Sequence, residues 1–307
     1  MDSNSNQHRK EKDAILRHIS ADCTVPAARH SDRNSAIALN GADDTSALLL
    51  SITNIKPQFV FPKEEIPKFI HQSWKTKSLP PHFRRWSETW TKHNPSWTHI
   101  LWTDATNRNL VATHYPWFLP YYDRLPSKIA KADASRYLYM HHMGGVYVDL
   151  DAECLKPLDS LLTQDAAYIG QMGEDRTFEH SLPNAWLASS RGHPFWLHVV
   201  AGIMKRVDAR VKSAEQVTGP IMLKAAYENY LRRVPQNERA DIVILEPGVI
   251  YPYNWHDEPK EARVCQGKTA SYFNETACKE YFHAQGLPHQ KAYMITYWTH
   301  GWSDGDK

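Results

Sequence analysis

The sequence predicts an α/β domain with a mainly parallel central sheet flanked by helices. Three observations carry this. Strand-like and helix-like segments alternate from residue 66 onward. A glycine pair separates a long helical segment from a β-branched run that ends in acids. The 307 residues, 42% of them hydrophobic, suit an ordinary core that needs no covalent staples.

Lys68 to Trp74 reads as the strand that opens the core, announced by Ile66-Pro67 and ended near Lys75. Pro80-Pro81 starts a helix to about His93, which Asn94-Pro95 breaks. Trp97 to Trp102 follows as a second strand, with Asp104 as the expected N-cap of the next helix. Ser127 caps a helix to about Met143, and Gly144-Gly145 ends it by supplying a left-handed position. Val146-Tyr147-Val148-Asp149-Leu150-Asp151 is then a buried strand that delivers two acids to its carboxyl edge. Late in the chain the apolar run Ala292 to Tyr297 reads as a strand, followed by Trp298-Thr299-His300-Gly301-Trp302. In such alternating sheets, ligands bind beyond the carboxyl ends of the strands.

Residues 1–60 mix Ser, Asn, Asp and Ala without sustained periodicity, apart from a short helical stretch at Lys10 to Ile19, and are expected to form a largely flexible arm. Residues 61–307 show no internal repeat and no strong linker, so one domain is expected there. Lys and Arg total 36 against 34 Asp and Glu, a net charge of +2, which gives no basic field for nucleic acid. The cysteines at 23, 154, 265 and 278 form no CxxC pair, so a zinc site of the usual spacing is not expected. Cys265 and Cys278 can close a small loop containing Asn274-Glu275-Thr276, an N-glycosylation acceptor in a chain that enters the secretory pathway. The first residues lack the apolar stretch of a signal peptide, and Ala47 to Ile52 falls far short of the ~20 residues that span a bilayer. The chain is therefore expected to be soluble, peripheral to a membrane, or separated from an anchor.

In an extended chain residues i and i+2 point to the same side, so Asp149 and Asp151 can face one cation with Leu150 packed behind them. Carboxylates plus substrate phosphates are a usual way to hold Mg²⁺ or Mn²⁺, and the metal would act as a Lewis acid toward a departing diphosphate. Taken alone, two such acids are more often a solvated turn. Asp133 and Arg136 share a helix face as an ion pair or as contacts to sugar and phosphate. His300, beside two Trp, is an ordinary surface histidine or a third metal ligand that would favour Mn²⁺. Two other classes fit some of these residues: a glycoside hydrolase with paired carboxylates, and a carbohydrate-binding protein holding Ca²⁺.

The segment Lys131 to Asp151, followed by Cys154 and Leu158-Asp159, resembles glycosyltransferase family 32, the family with the DXD sugar-binding motif. Ile66 to Trp74, Leu101 to Asp104, His193-Pro194 after Asn184, and Thr218-Gly219-Pro220 support the resemblance, which covers about 66 to 302. Within the family, His114 to Leu119 and the acidic Asp-Leu-Asp-x-x-Cys arrangement are most similar to fungal inositol phosphorylceramide mannosyltransferases. The resemblance implies a GT-A type nucleotide-sugar-binding fold, retaining hexosyl transfer, a GDP-mannose donor, Mn²⁺ (or Mg²⁺), a glycan or glycolipid acceptor such as inositol phosphorylceramide, and a Golgi lumenal or membrane-associated location. A UDP-hexose-dependent transferase would use the same motif. Carried over residue by residue, it makes Asp149 and Asp151 the metal and diphosphate site, and Asp133 and Arg136 donor-sugar contacts. It assigns Ile70, His71 and Gln72 to the nucleotide pocket with the Gly144-Gly145 turn, Asn184 to the neighbourhood of donor sugar or acceptor, and His300 to the metal.

Overall fold

Eight strands and eight α-helices make up the architecture of a computed structural model that describes residues 66–254, 256, 264, 274–284 and 291–299. The strands are β1 (Phe69–Ser73), β2 (Thr98–Trp102), β3 (Gly145–Val148), β4 (Ala152–Cys154), β5 (Ala167–Gly170), β6 (Trp186–Ser189), β7 (Ile242–Leu245) and β8 (Met294–Thr296). The helices are α1 (Pro81–His93), α2 (Asp104–His114), α3 (Leu119–Asp123), α4 (Lys128–His142), α5 (Pro194–Asp208), α6 (Ala214–Val217), α7 (Pro220–Arg233) and α8 (Glu275–Ala284). The chain divides into units of residues 1–48 and 49–307, and every described residue belongs to the second. The arm expected over residues 1–60, with its short helix, lies outside the described residues.

Six strands form the central sheet in the order β2-β1-β3-β6-β5-β7. Three of its five pairings are parallel, β1 with β2, β1 with β3 and β5 with β7, while β6 runs antiparallel to both β3 and β5. The mainly parallel sheet expected from the alternation is thus present, with one reversed strand. That reversal matters for the site. It sets Trp186 opposite Val148, so the residues entering β6 lie beside those leaving β3.

Helix α1 buries Phe83, Trp86 and Trp90, spaced at three and four residues as an amphipathic stripe requires. The Trp90 indole donates to the Ala152 carbonyl at 2.9 Å, and Asn94 ends the helix by donating to the Trp90 carbonyl. At α2 the N-cap is Thr103 rather than the expected Asp104. Thr103 has the extended backbone a cap needs and forms a capping box with Thr106, which leaves Asp104 as the first helical residue, where its charge suits the helix dipole. Ser127 caps α4 as expected, through the Ala130 amide at 3.2 Å. Nine of the 15 residues of α4 are buried, on every face, so this helix runs through the interior.

Gly144 and Gly145 have φ of 68° and 93°. A Cβ on Gly144 would sit 2.8 Å from the Ser189 carbonyl oxygen, and one on Gly145 would sit 2.6 Å from that of Phe69. Helix α4 can therefore turn directly into β3 only through glycines. The strand itself ends at Val148, earlier than the sequence pattern predicts. After the Asp149 amide donates to Ala185 at 2.9 Å, the chain turns through Leu150 and Asp151 so that β4 can pair with β8 instead of continuing the central sheet.

His71 fastens β1 to this turn. Its Nε2 donates to the Gly144 carbonyl at 2.9 Å, and its Nδ1 accepts from the Trp102 indole at 3.0 Å. Acceptance at Nδ1 requires the neutral ring, and burial lowers its pKa to about 4. Burial likewise lowers His99, His141 and His193 to about 4, and lowers His142 to about 3 with help from His114 and Arg191.

Two outcomes are expected. Gly145→Ala should destabilise by about 2–4 kcal/mol, whereas Gly192→Ala, also at positive φ but with nothing within 4 Å of the added carbon, should cost only about 1–2 kcal/mol. Denaturant midpoints check this, and equal effects would contradict the close approach of β3 to β1. For pH, a histidine with a depressed folded-state pKa stays neutral when the unfolded chain protonates, so stability is full above pH ~6.5 and falls toward pH 4. His71 alone contributes a loss on the order of 3 kcal/mol across that window. Asp133 and Asp151, raised to about 6, oppose the trend but are fewer. Unfolding free energies measured from pH 7 to 4 should therefore decrease, and a flat profile would contradict a neutral buried histidine set.

Candidate active site

A cavity of about 310 Å³ opens beyond the carboxyl ends of β1 and β3. Ser73, Trp74 and Lys75 reach it from the end of β1, and Asp149, Leu150 and Asp151 reach it from the turn after β3. Asp133 and Arg136 enter from α4, and Asn184 from the segment leading into β6.

Arg136 is the centre of this arrangement. It is 3% exposed. Its Nη2 lies 2.7 Å from Asp133 Oδ1 and its Nη1 lies 3.2 Å from Asp149 Oδ1. Nη1 also donates to the Asn184 carbonyl at 2.7 Å, and the guanidinium carbon sits 4.4 Å from the centroid of the Tyr147 ring. Burial by itself would weaken the charged form, but Asp149, Tyr147 and Asp133 reverse that and hold the pKa above its ordinary value. The two roles that spacing leaves open for Asp133 and Arg136 therefore coincide in part: they are an ion pair, and both line the cavity.

Asp133 is further fixed by the Asn184 amide at 3.1 Å on Oδ1 and the Thr218 hydroxyl at 3.2 Å on Oδ2. Burial raises its pKa to about 6, against the pull of Arg136 and with the Asp149 charge adding to the rise. The Tyr147 hydroxyl donates to Asp149 Oδ1 at 2.6 Å. On the other acid, Asp151 Oδ2 accepts from the Thr299 amide at 2.8 Å and its hydroxyl at 3.3 Å. Burial and then the Asp149 charge raise the Asp151 pKa to about 6, while the Thr299 bonds act the other way. Leu150 is buried behind the two acids in a cluster with Phe83, Trp86, Tyr253, Cys278, Ile295 and Tyr297.

These contacts decide whether a divalent cation fits. One oxygen of each acid, Asp149 Oδ1 and Asp151 Oδ2, is engaged by protein donors, which leaves the other oxygen of each to a ligand. Asp133 and Asp149 both pair with Arg136, while Asp151 has no cationic partner among these contacts, so its carboxylate favours an added cation by charge as well as by donor type. The donor set is hard oxygen and suits Mn²⁺ or Mg²⁺. Among the described residues no group of three or more His, Cys, Asp or Glu is disposed to hold a metal, so substrate oxygens would have to complete the shell. His300 lies outside the described residues.

Other expected site residues are placed elsewhere. Ile70, His71 and Gln72 are almost fully buried and do not line the cavity. Gln72 works from behind, its Oε1 accepting from Ser87 at 2.7 Å and bonded to His99 at 2.8 Å. Gly144 and Gly145 sit at the opposite end of β3 from the acids. The strand signal around Ile70 was sound, but the side chains that face the cavity come just after it, at Ser73 to Lys75. Tyr147 and Thr218 join the site through Asp149 and Asp133, and the only sequence signal for either is its place in the Val146–Asp151 run and the Thr218-Gly219-Pro220 segment. Trp298, noted only as a neighbour of His300, lines the cavity with φ of 48°, and its buried indole N–H has no hydrogen-bond partner among the described residues.

Residues 80–168 match the family described as the glycosyltransferase sugar-binding region containing the DXD motif. The chain is 34% identical over 173 residues to inositol phosphoceramide mannosyltransferase 2 of Schizosaccharomyces pombe, covering 55% of this chain and 48% of that protein. It is 33% identical over 198 residues to inositol phosphoceramide mannosyltransferase 1 of the same yeast, covering 61% and 60%. With mannosyl phosphorylinositol ceramide synthase CSH1 of Saccharomyces cerevisiae it shares 31% over 215 residues, covering 67% and 56%. The chain thus spans about half the length of the curated relatives it matches. Among solved structures, PaToxG glycosyltransferase superposes with a TM-score of 0.42 at 15% identity, covering 81% of this chain and 87% of that one. Residues 80–168 thus match the DXD-containing sugar-binding region, the one Asp-x-Asp within them is Asp149-Leu150-Asp151, and the chain is similar in sequence to the fungal inositol phosphoceramide mannosyltransferases.

Proposed function

We propose that this chain is the catalytic domain of a retaining mannosyltransferase of GT-A type that moves mannose from GDP-mannose to a hydroxyl of inositol phosphorylceramide. The observation that carries the reading is the meeting, in one cavity, of the two acids of the DXD motif with the Asp133–Arg136–Asn184 cluster. The sequence relatives supply the sugar and the acceptor, since their names specify mannosyl transfer to inositol phosphoceramide. The domain is taken as residues 61–307. A Golgi site of action and contact with a membrane surface follow from a lipid acceptor; no described helix is long and apolar enough to cross a membrane.

Asp149 and Asp151 would hold the divalent cation through the oxygens their protein partners leave free. Bound there, Mn²⁺ supplies positive charge to the departing diphosphate. Arg136 stays charged beside the same position and adds fixed positive potential without reorganising, because four contacts already hold it. Asp133 Oδ2, which takes one hydrogen bond, keeps a lone pair for a donor-sugar hydroxyl. Trp74, with Lys75 above its ring at 5.6 Å, offers a flat face to the nucleotide. The acceptor hydroxyl would attack from the face the diphosphate leaves, passing its proton to the departing phosphate oxygen.

A panel of nucleotide sugars tested with Mn²⁺ or EDTA checks the donor. Stabilisation and turnover specific to GDP-mannose and abolished by EDTA are expected; preference for a UDP-sugar would overturn the mannosyl assignment. Asp149→Ala and Asp151→Ala should each lower transfer about 100-fold or more while the circular dichroism spectrum is kept. Full activity in either variant would sink the motif's role. A protonated carboxyl cannot ligate, so Mn²⁺ affinity should fall as pH drops through about 6, where Asp151 gains its proton, and titration calorimetry at pH 7.5 and 5.5 reads this directly. Equal affinity at both values would remove Asp151 from the ligand set.

A further inference from the structure

The sequon Asn274-Glu275-Thr276 does not line the cavity, yet the structure gives it a definite setting. Asn274 and Thr276 are both exposed, and the sequon opens helix α8. The Asn274 side chain acts as the cap: its Oδ1 accepts from the Ala277 amide at 2.9 Å, while its backbone carbonyl accepts from the Cys278 amide at 3.0 Å. No protein acceptor among the described residues takes the Asn274 Nδ2. An N-linked glycan is attached at that nitrogen, and the amide carbonyl survives the linkage, so the cap and the modification do not compete. Glu275, between the two sequon residues, is drawn away toward Lys279 at 2.8 Å.

A second, independent observation lies four residues on. Cys278 is disulfide-bonded and fully buried, against Phe83, Trp86 and Leu150. Its expected partner, Cys265, lies outside the described residues. Disulfides form and persist in oxidising compartments, the same compartments in which sequons are glycosylated.

We propose that Asn274 is an N-glycosylation site, modified as the chain enters the secretory lumen in which its Cys278 disulfide forms. In the step, Asn274 Nδ2 forms a bond to the anomeric carbon of an oligosaccharide carried on a lipid diphosphate. The bond from that carbon to the diphosphate breaks, the lipid diphosphate leaves with the electron pair, and the amide gives up one proton. The proposal is independent of which sugar the enzyme itself transfers.

The test is peptide mass spectrometry on the full-length protein purified from its own cells, with and without peptide N-glycosidase, alongside alkylation of free thiols. A hexose-rich adduct on the Asn274 peptide, converted to Asp by the glycosidase, is expected together with an unalkylated Cys278. Two variants separate the glycan from the fold: Asn274→Asp keeps a capping oxygen and removes the acceptor nitrogen, and Thr276→Ala leaves the cap intact and removes the sequon hydroxyl. Both should lose the adduct while the disulfide is retained. Unmodified Asn274 in the purified protein would overturn the proposal, whether Cys278 is oxidised or free, as would an adduct that persists in both variants.

Discussion

The buried guanidinium of Arg136 is the interaction on which the rest of the site depends. It joins helix α4 to the end of β3 through Asp149 and to the entry of β6 through the Asn184 carbonyl. Burying a charge costs several kcal/mol unless it is paired and hydrogen-bonded, so these contacts are conditions for the fold as well as features of the site. Two carboxylates, a carbonyl and the face of Tyr147 replace the water lost at the two Nη atoms and the ring-facing side of Arg136, while its buried Nε has no hydrogen-bond partner among the described residues. Removing any one carboxylate leaves the others with a different charge balance, and the surrounding helix, tightly buried on every face, has little room to relax.

Both ends of β3 are held for that purpose. At its start, the Gly144-Gly145 turn lets β3 approach β1, and His71 spans the gap with a hydrogen bond at each ring nitrogen. At its finish, Leu150 anchors the motif in an apolar cluster formed by α1, β8 and α8, while Trp90 grips the Ala152 carbonyl one residue past Asp151. The turn between Asp149 and Asp151 is thereby fixed from behind as well as from the sides. The proposed sharing of a cation by two carboxylates would need such support, because a small displacement of either acid would lose the common ligand position.

Much of this was legible in the sequence. The order β1-α1-β2-α2 followed from proline breaks and β-branched runs, the stop of α4 from its glycines, and the acids at the sheet edge from the run that precedes them. Short-range chemistry of this kind is written in neighbouring residues. What stayed hidden depends on contacts between distant segments. The reversal of β6, which brings Asn184 to Asp133, leaves no local mark, and neither does the pairing of β4 with β8, which brings Thr299 to Asp151. His71 illustrates the same limit: a histidine in a strand can face a ligand or a carbonyl, and only the position of Gly144 and Trp102 decides between them.

The two acids of the motif also have different surroundings. Asp149 is next to a permanent positive charge and a phenol, whereas Asp151 accepts neutral donors from Thr299 and feels Asp149 as a repulsive neighbour. The negative charge of Asp151 is therefore the less compensated of the two, and a proton or a cation held there would relieve it. The same donors orient the unengaged oxygen while leaving its charge uncompensated. Thr299 in turn depends on β8 being in register with β4, so the far end of the chain sets the electrostatics of a motif about 150 residues away. Closing β4 on β8 and setting Thr299 against Asp151 are thus one event.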